Sequence, residues 1–138
     1  MISFIVPGAP VGKGRPRFAK RGNFVSTYTP EKTASYENLV KVLAMQAMKG
    51  REIISAPVIV NLTAIFGVPA SWSKKKKADA MLGKSYPAGR CDIDNIAKSV
   101  FDACNGVVWM DDKQVIECHL YKKYGDSPLV FMTVEEKS

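Results

Sequence analysis

A run of β-branched residues between two prolines is the feature that most constrains the fold. The segment Pro57–Phe66 is rich in valine and isoleucine, and Pro69 closes it. Such residues favour a long central strand, which needs partner strands beside it. Four other segments have the length and pattern of strands: Ile2–Pro7, Asn23–Tyr28, Gln114–Tyr124 and Leu129–Val134.

Two long helices and one short helix are predicted between these strands. Thr29-Pro30-Glu31 has the composition of a helix start, with threonine as N-cap and proline in the first position. Apolar residues then recur at three- and four-residue intervals: Tyr36, Leu39, Val40, Leu43 and Ala47. The second long helix begins with Asp94 as N-cap and ends at Asn105-Gly106. Residues 71–82 contain a candidate serine cap, the lysine run and a short helix over Ala78–Leu82. We therefore expect one α/β (α+β) domain over residues 1–138, a mixed β-sheet with these helices on it.

Several classes of protein are disfavoured by the sequence. No apolar run reaches the roughly 18 residues that cross a bilayer, and the N-terminus does not resemble a signal peptide. The three cysteines have no paired spacing, which argues against disulfides and favours a reducing cytosol. Cysteine and the single histidine also lack the spacing of a zinc site.

The charge distribution indicates an anionic partner. The net charge is +7, residues 1–30 contain five basic residues and no acid, and Lys74–Lys77 forms a second basic run. Basic clusters attract phosphate backbones. Lysine runs are also common on solvated surfaces, and a basic surface can equally serve membranes or acidic proteins.

Against this basic background, five of the 13 acidic residues lie between positions 92 and 112: Asp92, Asp94, Asp102, Asp111 and Asp112. Converging carboxylates repel one another unless a cation neutralises them. Mg²⁺, which prefers oxygen ligands, is the usual cation for this purpose. The pattern therefore raises the hypothesis of a metal site in a protein that binds nucleic acid.

Spacing limits how these acids could act together. Asp92 and Asp94 leave the same face only if their segment is extended, so we place the pair at the entrance to the helix. Lys98 follows one helical turn after Asp94. Asp111 and Asp112 face opposite ways on an extended segment, so only one of them is expected to join the pair.

A purely structural alternative is that Asp94 caps a helix, Lys98 is its i+4 partner and Asp92 is an exposed loop acid. Two other metal-site interpretations fail. An EF-hand loop starting at Asp92 would need glycine at position 97 and glutamate at 103, where the chain has alanine. An aspartyl-phosphate phosphatase would need a buried strand before the first acid, where the chain has a polar loop.

These segments resemble the RusA family of Holliday-junction resolvases, small endodeoxyribonucleases common in phages and prophages. The resemblance covers most of the chain and is strongest in three segments: Asp92–Lys98, Phe101–Ala103 and Trp109–Val115. It extends to the opening strand with Lys13–Phe18, and to Tyr28-Thr29-Pro30.

The resemblance implies a compact homodimer that cuts four-way DNA junctions by paired incisions in recombination and repair. The implied cofactor is Mg²⁺, for which Mn²⁺ often substitutes, without a small-molecule cofactor or a membrane. The essential acids would be Asp92, Asp94 and Asp112, and the family's lysine falls on Lys98. A phage or prophage origin would place the protein in the bacterial cytoplasm.

In the resulting mechanism, Asp92, Asp94 and Asp112 would hold one or two metal ions that activate water for in-line attack. Lys98 would offset the developing negative charge. Basic residues would position the phosphate backbone: Lys13, Arg15, Arg17, Lys74, Lys75, Lys76, Lys77 and Arg90. Two alternatives stay open, a metal-dependent nuclease for flaps or forks and a non-catalytic DNA-binding protein.

Overall fold

The β-branched run forms an interior strand of the sheet, as predicted. The computed structural model describes residues 1–14, 17–22, 24–28 and 31–137. Its strands are β1 (Ile2–Pro7), β2 (Arg17–Arg21), β3 (Phe24–Tyr28), β4 (Val58–Gly67), β5 (Val115–Gly125) and β6 (Leu129–Glu136). Its helices are α1 (Glu31–Met48), α2 (Lys74–Met81) and α3 (Ile93–Cys104). The predicted helix start at Thr29-Pro30 lies outside the described residues.

The sheet is mixed, and its topology follows from one crossover. Within the described ranges, four strands form a sheet in the order β1-β6-β4-β5. β6 is antiparallel to both β1 and β4, whereas β4 and β5 are parallel. Parallel neighbours need a long connection, and this connection contains α2 and α3. β2 and β3 pair separately as an antiparallel ribbon. The predicted α+β domain, with a mixed sheet and helices on it, is confirmed.

Alternate strand residues and two helices form the core. Val58, Val60 and Leu62 of β4 are fully buried, as period-two alternation requires. The residues of α1 that pack inward are Thr33, Tyr36, Val40, Ala44 and Met48. The prediction of Leu39 on that face was wrong, since its side chain is 39% exposed. Leu43 and Ala47 are partly buried against the core.

The short helix begins earlier than predicted. α2 starts at Lys74 rather than Ala78, with Ser73 as the N-cap, whose hydroxyl accepts a hydrogen bond from the Lys76 N–H at 3.2 Å. The lysine run therefore forms the first turn of α2. Lysines are unfavourable at the positive end of a helix dipole, so charge alone does not indicate a helix start here, whereas the Ser73 cap does. Among the described residues, no helix has the length and apolar character needed to cross a membrane.

The buried face of α3 generates a prediction about thiol reactivity. Burial raises the pKa of the Cys104 thiol to about 12, and the thiolate is the form that reacts with disulfide reagents. At mildly alkaline pH we expect the exposed Cys91 and Cys118 to react in the native protein, and Cys104 only after unfolding. The measurement is a timed thiol titration with and without denaturant.

A Cys104→Ala variant provides the control for this titration. It should release the same amount of chromophore in the native and the denatured state. Rapid reaction of all three cysteines in the native wild type would contradict the burial of α3 against the core.

Candidate active site

The first two acids lie at the N-terminus of α3, but not as predicted. Asp92 is the N-cap, with φ −62° and ψ 135°, and Asp94 lies in the first turn. The assignment of Asp94 as the cap, with both acids on one extended segment, was therefore wrong. The physical reason is Ile93, which packs partly buried against the core and draws the helix start one residue past Asp92. Both carboxylates are exposed to solvent.

Asn95 links the two acids to each other and to the segment after β1. Its backbone N–H donates to Asp94 Oδ1 at 3.0 Å, and its Nδ2 lies 3.5 Å from Asp92 Oδ2. Its carbonyl accepts from the Lys13 N–H at 2.8 Å. Gly12 permits this approach, because a Cβ there would lie 3.3 Å from the Asn95 Cβ. Asn95 was not among the site residues predicted from the sequence.

The second acidic pair divides into a structural and an available carboxylate. A 3₁₀ turn spans Asp112–Gln114, and Asp111 is its N-cap. Asp111 Oδ1 accepts from the Lys113 N–H at 2.9 Å, so Asp111 has a local structural task. Asp112 is half-buried in the first position of the turn, which contacts α3. This division answers the question of which acid of the pair is tied to the backbone.

Gln114 anchors that turn to the rest of the protein, and sequence reasoning missed it. Its Oε1 accepts from the N–H groups of Met110 and Asp111, at 2.8 and 3.0 Å. Its Nε2 donates to the carbonyls of Ile54 and Ala56, at 2.9 and 3.0 Å. The sequence signal that could have identified Gln114 is its spacing from Asp111, Asp-x-x-Gln, which is typical of a capping box.

Lys98 pairs with Asp102 and not with Asp94, the partner that the purely structural alternative gave it. Its Nζ donates to Asp102 Oδ1 at 2.8 Å, one turn further along α3, rather than to Asp94. This hydrogen bond is the main reason why the pKa of Lys98 is raised, and the charge of Asp112 raises it further. Lys98 therefore lies within electrostatic reach of the second acidic segment while its side chain stays 56% exposed.

Lys13, predicted to contact DNA, is engaged in ion pairs in the free protein. Its ammonium group pairs with Glu37 and lies 3.3 Å from Asp102 Oδ2. Burial opposes the charged form, but the hydrogen bonds to these two acids raise the pKa of Lys13. Of the other basic residues in this segment, Arg15 lies outside the described residues, and the side chain of Arg17 is not described.

The other predicted basic residues lie on or beside a surface formed by α2, β5 and the segment before α3. Lys74, Lys75 and Lys76 are exposed, and Lys77 is half-buried. Lys76 Nζ lies 4.1 Å from the centre of the Trp72 ring, and that ring packs edge-on against Tyr124 at 5.3 Å.

Arg90 extends this surface towards the acids. Its guanidinium lies 4.9 Å from the centre of the buried Phe66 ring. Lys122 Nζ of β5 lies 3.5 Å from the Arg90 carbonyl, so the structure adds Lys122 to the predicted basic residues. Since Arg90 precedes Asp92 by two residues, the basic surface continues to the start of α3.

The three predicted metal ligands are not gathered into one chelating group. Across the part of the chain that the structure describes, no three histidine, cysteine, aspartate or glutamate side chains lie close enough to hold a metal ion. Carboxylate oxygens are nevertheless the donors that Mg²⁺ prefers, so the chemistry of Asp92, Asp94 and Asp112 fits this ion. Their joint action on a metal stays a prediction.

The hydrogen bonds of Gln114 predict a large effect from a small change. In Gln114→Glu, a carboxylate oxygen would face the carbonyls of Ile54 and Ala56 in place of a donor. We expect the free energy of unfolding to fall by about 2–3 kcal/mol, measured by urea denaturation. Gln46→Glu makes the same change on the exposed surface of α1 and should alter stability by less than about 0.5 kcal/mol. Equal losses in both variants would contradict the anchoring role.

Comparison with known proteins identifies the family of this chain. The chain matches the family described as Endodeoxyribonuclease RusA over residues 7–135. It is also 35% identical over 139 residues to "Uncharacterized protein YqaN" of Bacillus subtilis (strain 168), covering 99% of this chain and 97% of that protein. The family match includes both acidic segments, the basic surface and all three helices. The chain belongs to the RusA family of endodeoxyribonucleases.

Proposed function

We propose that this protein resolves Holliday junctions in DNA by paired, Mg²⁺-dependent cleavage of phosphodiester bonds. The family membership supports an endodeoxyribonuclease. The observation that best supports cleavage of phosphodiester bonds is the start of α3, where two exposed aspartates precede Lys98, Asp94 by one turn, and Lys98 lies within the field of Asp112. Acids beside a cationic group are what hydrolysis of a phosphodiester requires.

The residues proposed to hold the metal are Asp92, Asp94 and Asp112. Mg²⁺ in nucleases is commonly bound by one or two carboxylates together with phosphate oxygens of the substrate, and Asp92 and Asp94 are exposed to an incoming strand. The chemistry that a bound Mg²⁺ or Mn²⁺ supplies is activation of water and stabilisation of charge at phosphate. Asn95 orients the first two carboxylates through its hydrogen bonds to both.

Lys98 is proposed to act on the reacting phosphate. Its side chain is more than half exposed, and hydrogen bonding to Asp102 raises its pKa, so the ammonium group stays charged at physiological pH. A fixed positive charge beside a phosphodiester stabilises the negative charge that develops during cleavage.

The basic surface is proposed to bind the DNA backbone. Lys74, Lys75 and Lys76 lie on one short helix, and Arg90 connects this surface to the acids. Lysine and arginine contacts to phosphate give affinity and orientation with little sequence information, which suits recognition of a branched shape. A two-fold symmetric homodimer would present two such sites, as paired cuts on a four-way junction require.

Neighbouring aspartates provide a matched test of the catalytic assignment. We expect Asp94→Asn and Asp112→Asn to bind a four-way junction but to cleave it at least about a hundredfold more slowly. Asp111→Asn should retain cleavage within a few-fold, since asparagine still offers an oxygen to the Lys113 N–H. Cleavage would be measured on four-way, flap and linear substrates, with Mg²⁺ and with EDTA.

The substrate panel separates the proposal from its alternatives. Preference for flaps would indicate a different branched-DNA nuclease, and binding without cleavage in Mg²⁺ or Mn²⁺ would indicate a non-catalytic DNA-binding protein. Full activity of Asp112→Asn together with loss of activity in Asp111→Asn would reverse the assignment within the second acidic pair.

A second prediction concerns the role of α2 in binding. Each phosphate contact contributes about 0.9 to the slope of log affinity against log salt concentration. Replacing Lys74, Lys75 and Lys76 by glutamine should therefore reduce that slope by about two to three, measured by fluorescence anisotropy. Replacing three exposed lysines elsewhere, Lys32, Lys41 and Lys49, changes the net charge equally and should reduce the slope by less than about one. Equal reductions of the slope in the two triple variants would show that DNA binding depends only on the net charge of the protein.

A further inference from the structure

Four charged side chains form a continuous chain of ion pairs next to the candidate site. Lys98 Nζ lies 2.8 Å from Asp102 Oδ1, and Asp102 Oδ2 lies 3.3 Å from Lys13 Nζ. Lys13 pairs in turn with Glu37 of α1. Positive and negative groups alternate along this chain, so it is electrically neutral and connects α1, the segment after β1 and α3.

Asp102 occupies the central position of the chain. It uses one carboxylate oxygen for each lysine, and its side chain is only 22% exposed, against 56% for Lys98. An exposed lysine has many rotamers available. A partner one turn further along the same helix, itself held from its other side, restricts those rotamers.

Lys13 connects Asp102 to the start of α3, where the candidate catalytic acids Asp92 and Asp94 lie. Its backbone N–H donates to the Asn95 carbonyl in the first turn of α3, while its ammonium group reaches Asp102 two turns later. The segment after β1 is therefore fixed to α3 at two points. The Ser99 hydroxyl adds a third contact, donating to the Val11 carbonyl at 2.9 Å.

We propose that Asp102 is a positioning residue for phosphodiester cleavage, which holds the Lys98 ammonium group on the exposed face of α3 that also carries the candidate catalytic Asp94. The inference rests on the proposed function, because it assigns Lys98 to the reacting phosphate. Asp102 does not itself contact DNA. It acts through Lys98, and Lys13 keeps it in place.

If Asp102 only stabilised the fold, its replacement would lower stability and leave the chemical step unchanged. The positioning role predicts the reverse. An i,i+4 ion pair with an exposed lysine contributes little to stability. Asp102→Asn should therefore fold normally, with a thermal transition close to that of the wild type. Its effect should fall on the rate of the chemical step, because a displaced catalytic group slows cleavage even when substrate binding is unchanged.

A double-mutant cycle under single-turnover conditions tests the inference. We expect Asp102→Asn to slow cleavage of a four-way junction by about tenfold to a hundredfold, with its dissociation constant for the junction within about threefold of the wild-type value. Lys98→Ala should slow cleavage at least as much. In the Lys98→Ala background, Asp102→Asn should have almost no further effect, since residues acting through one another are not additive.

Two more variants separate Asp102 from the rest of the ion-pair chain. Asp102→Glu keeps a carboxylate within reach of Lys98 and should restore most of the rate. Glu37→Gln removes an acid that contacts Lys13 but not Lys98, and should stay within a few-fold of the wild type. A normal rate in Asp102→Asn, or an effect that multiplies with that of Lys98→Ala, would overturn the inference.

A measurement without DNA distinguishes failure of the inference from failure of the proposed function. The NMR signal of isotopically methylated Lys98 should shift its titration to lower pH in Asp102→Asn. If that shift is seen but wild-type protein cuts no junction in Mg²⁺ or Mn²⁺, the proposed function is overturned. If the wild type cuts and Asp102→Asn cuts equally fast, the inference fails and the proposed function stands.

Discussion

The position of the candidate site depends on the burial of one face of α3 against α1 and the sheet. Ile96, Val100 and Cys104 are fully buried on that face, and each large apolar side chain contributes about 1.5–3 kcal/mol when removed from water. Asp94 and Lys98 lie on the opposite, exposed face. Because a helix is stiff, apolar packing on one face fixes where the charged groups on the other face lie. The hydrophobic core therefore orients the groups proposed to act on DNA.

Periodicity in the sequence was enough to predict the sheet and the helices, but not the boundaries that matter at the site. Asp92 and Asp94 are both good N-cap residues, and the helix begins at Ile93, which packs partly buried against the core. Lys98 has an acid one turn before it and another one turn after it. Asp94 accepts a hydrogen bond from the Asn95 N–H, and Asp102 is held by Lys13, so the pairing depends on contacts distant in sequence.

The same limit applies to the contacts that sequence reasoning missed. Lys13 and Glu37 meet only because the segment after β1 packs against α3 and α1, and Gln114 reaches the carbonyls of Ile54 and Ala56 only in the folded chain. Such pairs leave no trace in local periodicity. The capping of the second acidic pair is different, because Asp111 and Gln114 have a recognisable spacing. That local pattern would have identified Asp111 as the residue that caps the turn.

The exposure of Asp92 and Asp94 bears on how metal and DNA would bind in the proposed reaction. Water solvates exposed carboxylates, so the fold does not need a cation to neutralise them. A phosphodiester brought beside them by the basic surface adds further negative charge and further oxygen ligands. The aspartates and the phosphodiester together would favour binding of a divalent cation more than either does alone. By linkage, a bound cation would strengthen the binding of DNA. In this arrangement the lysines of α2 would contribute affinity, while Lys98, held by Asp102, would act on charge that appears only as the bond breaks.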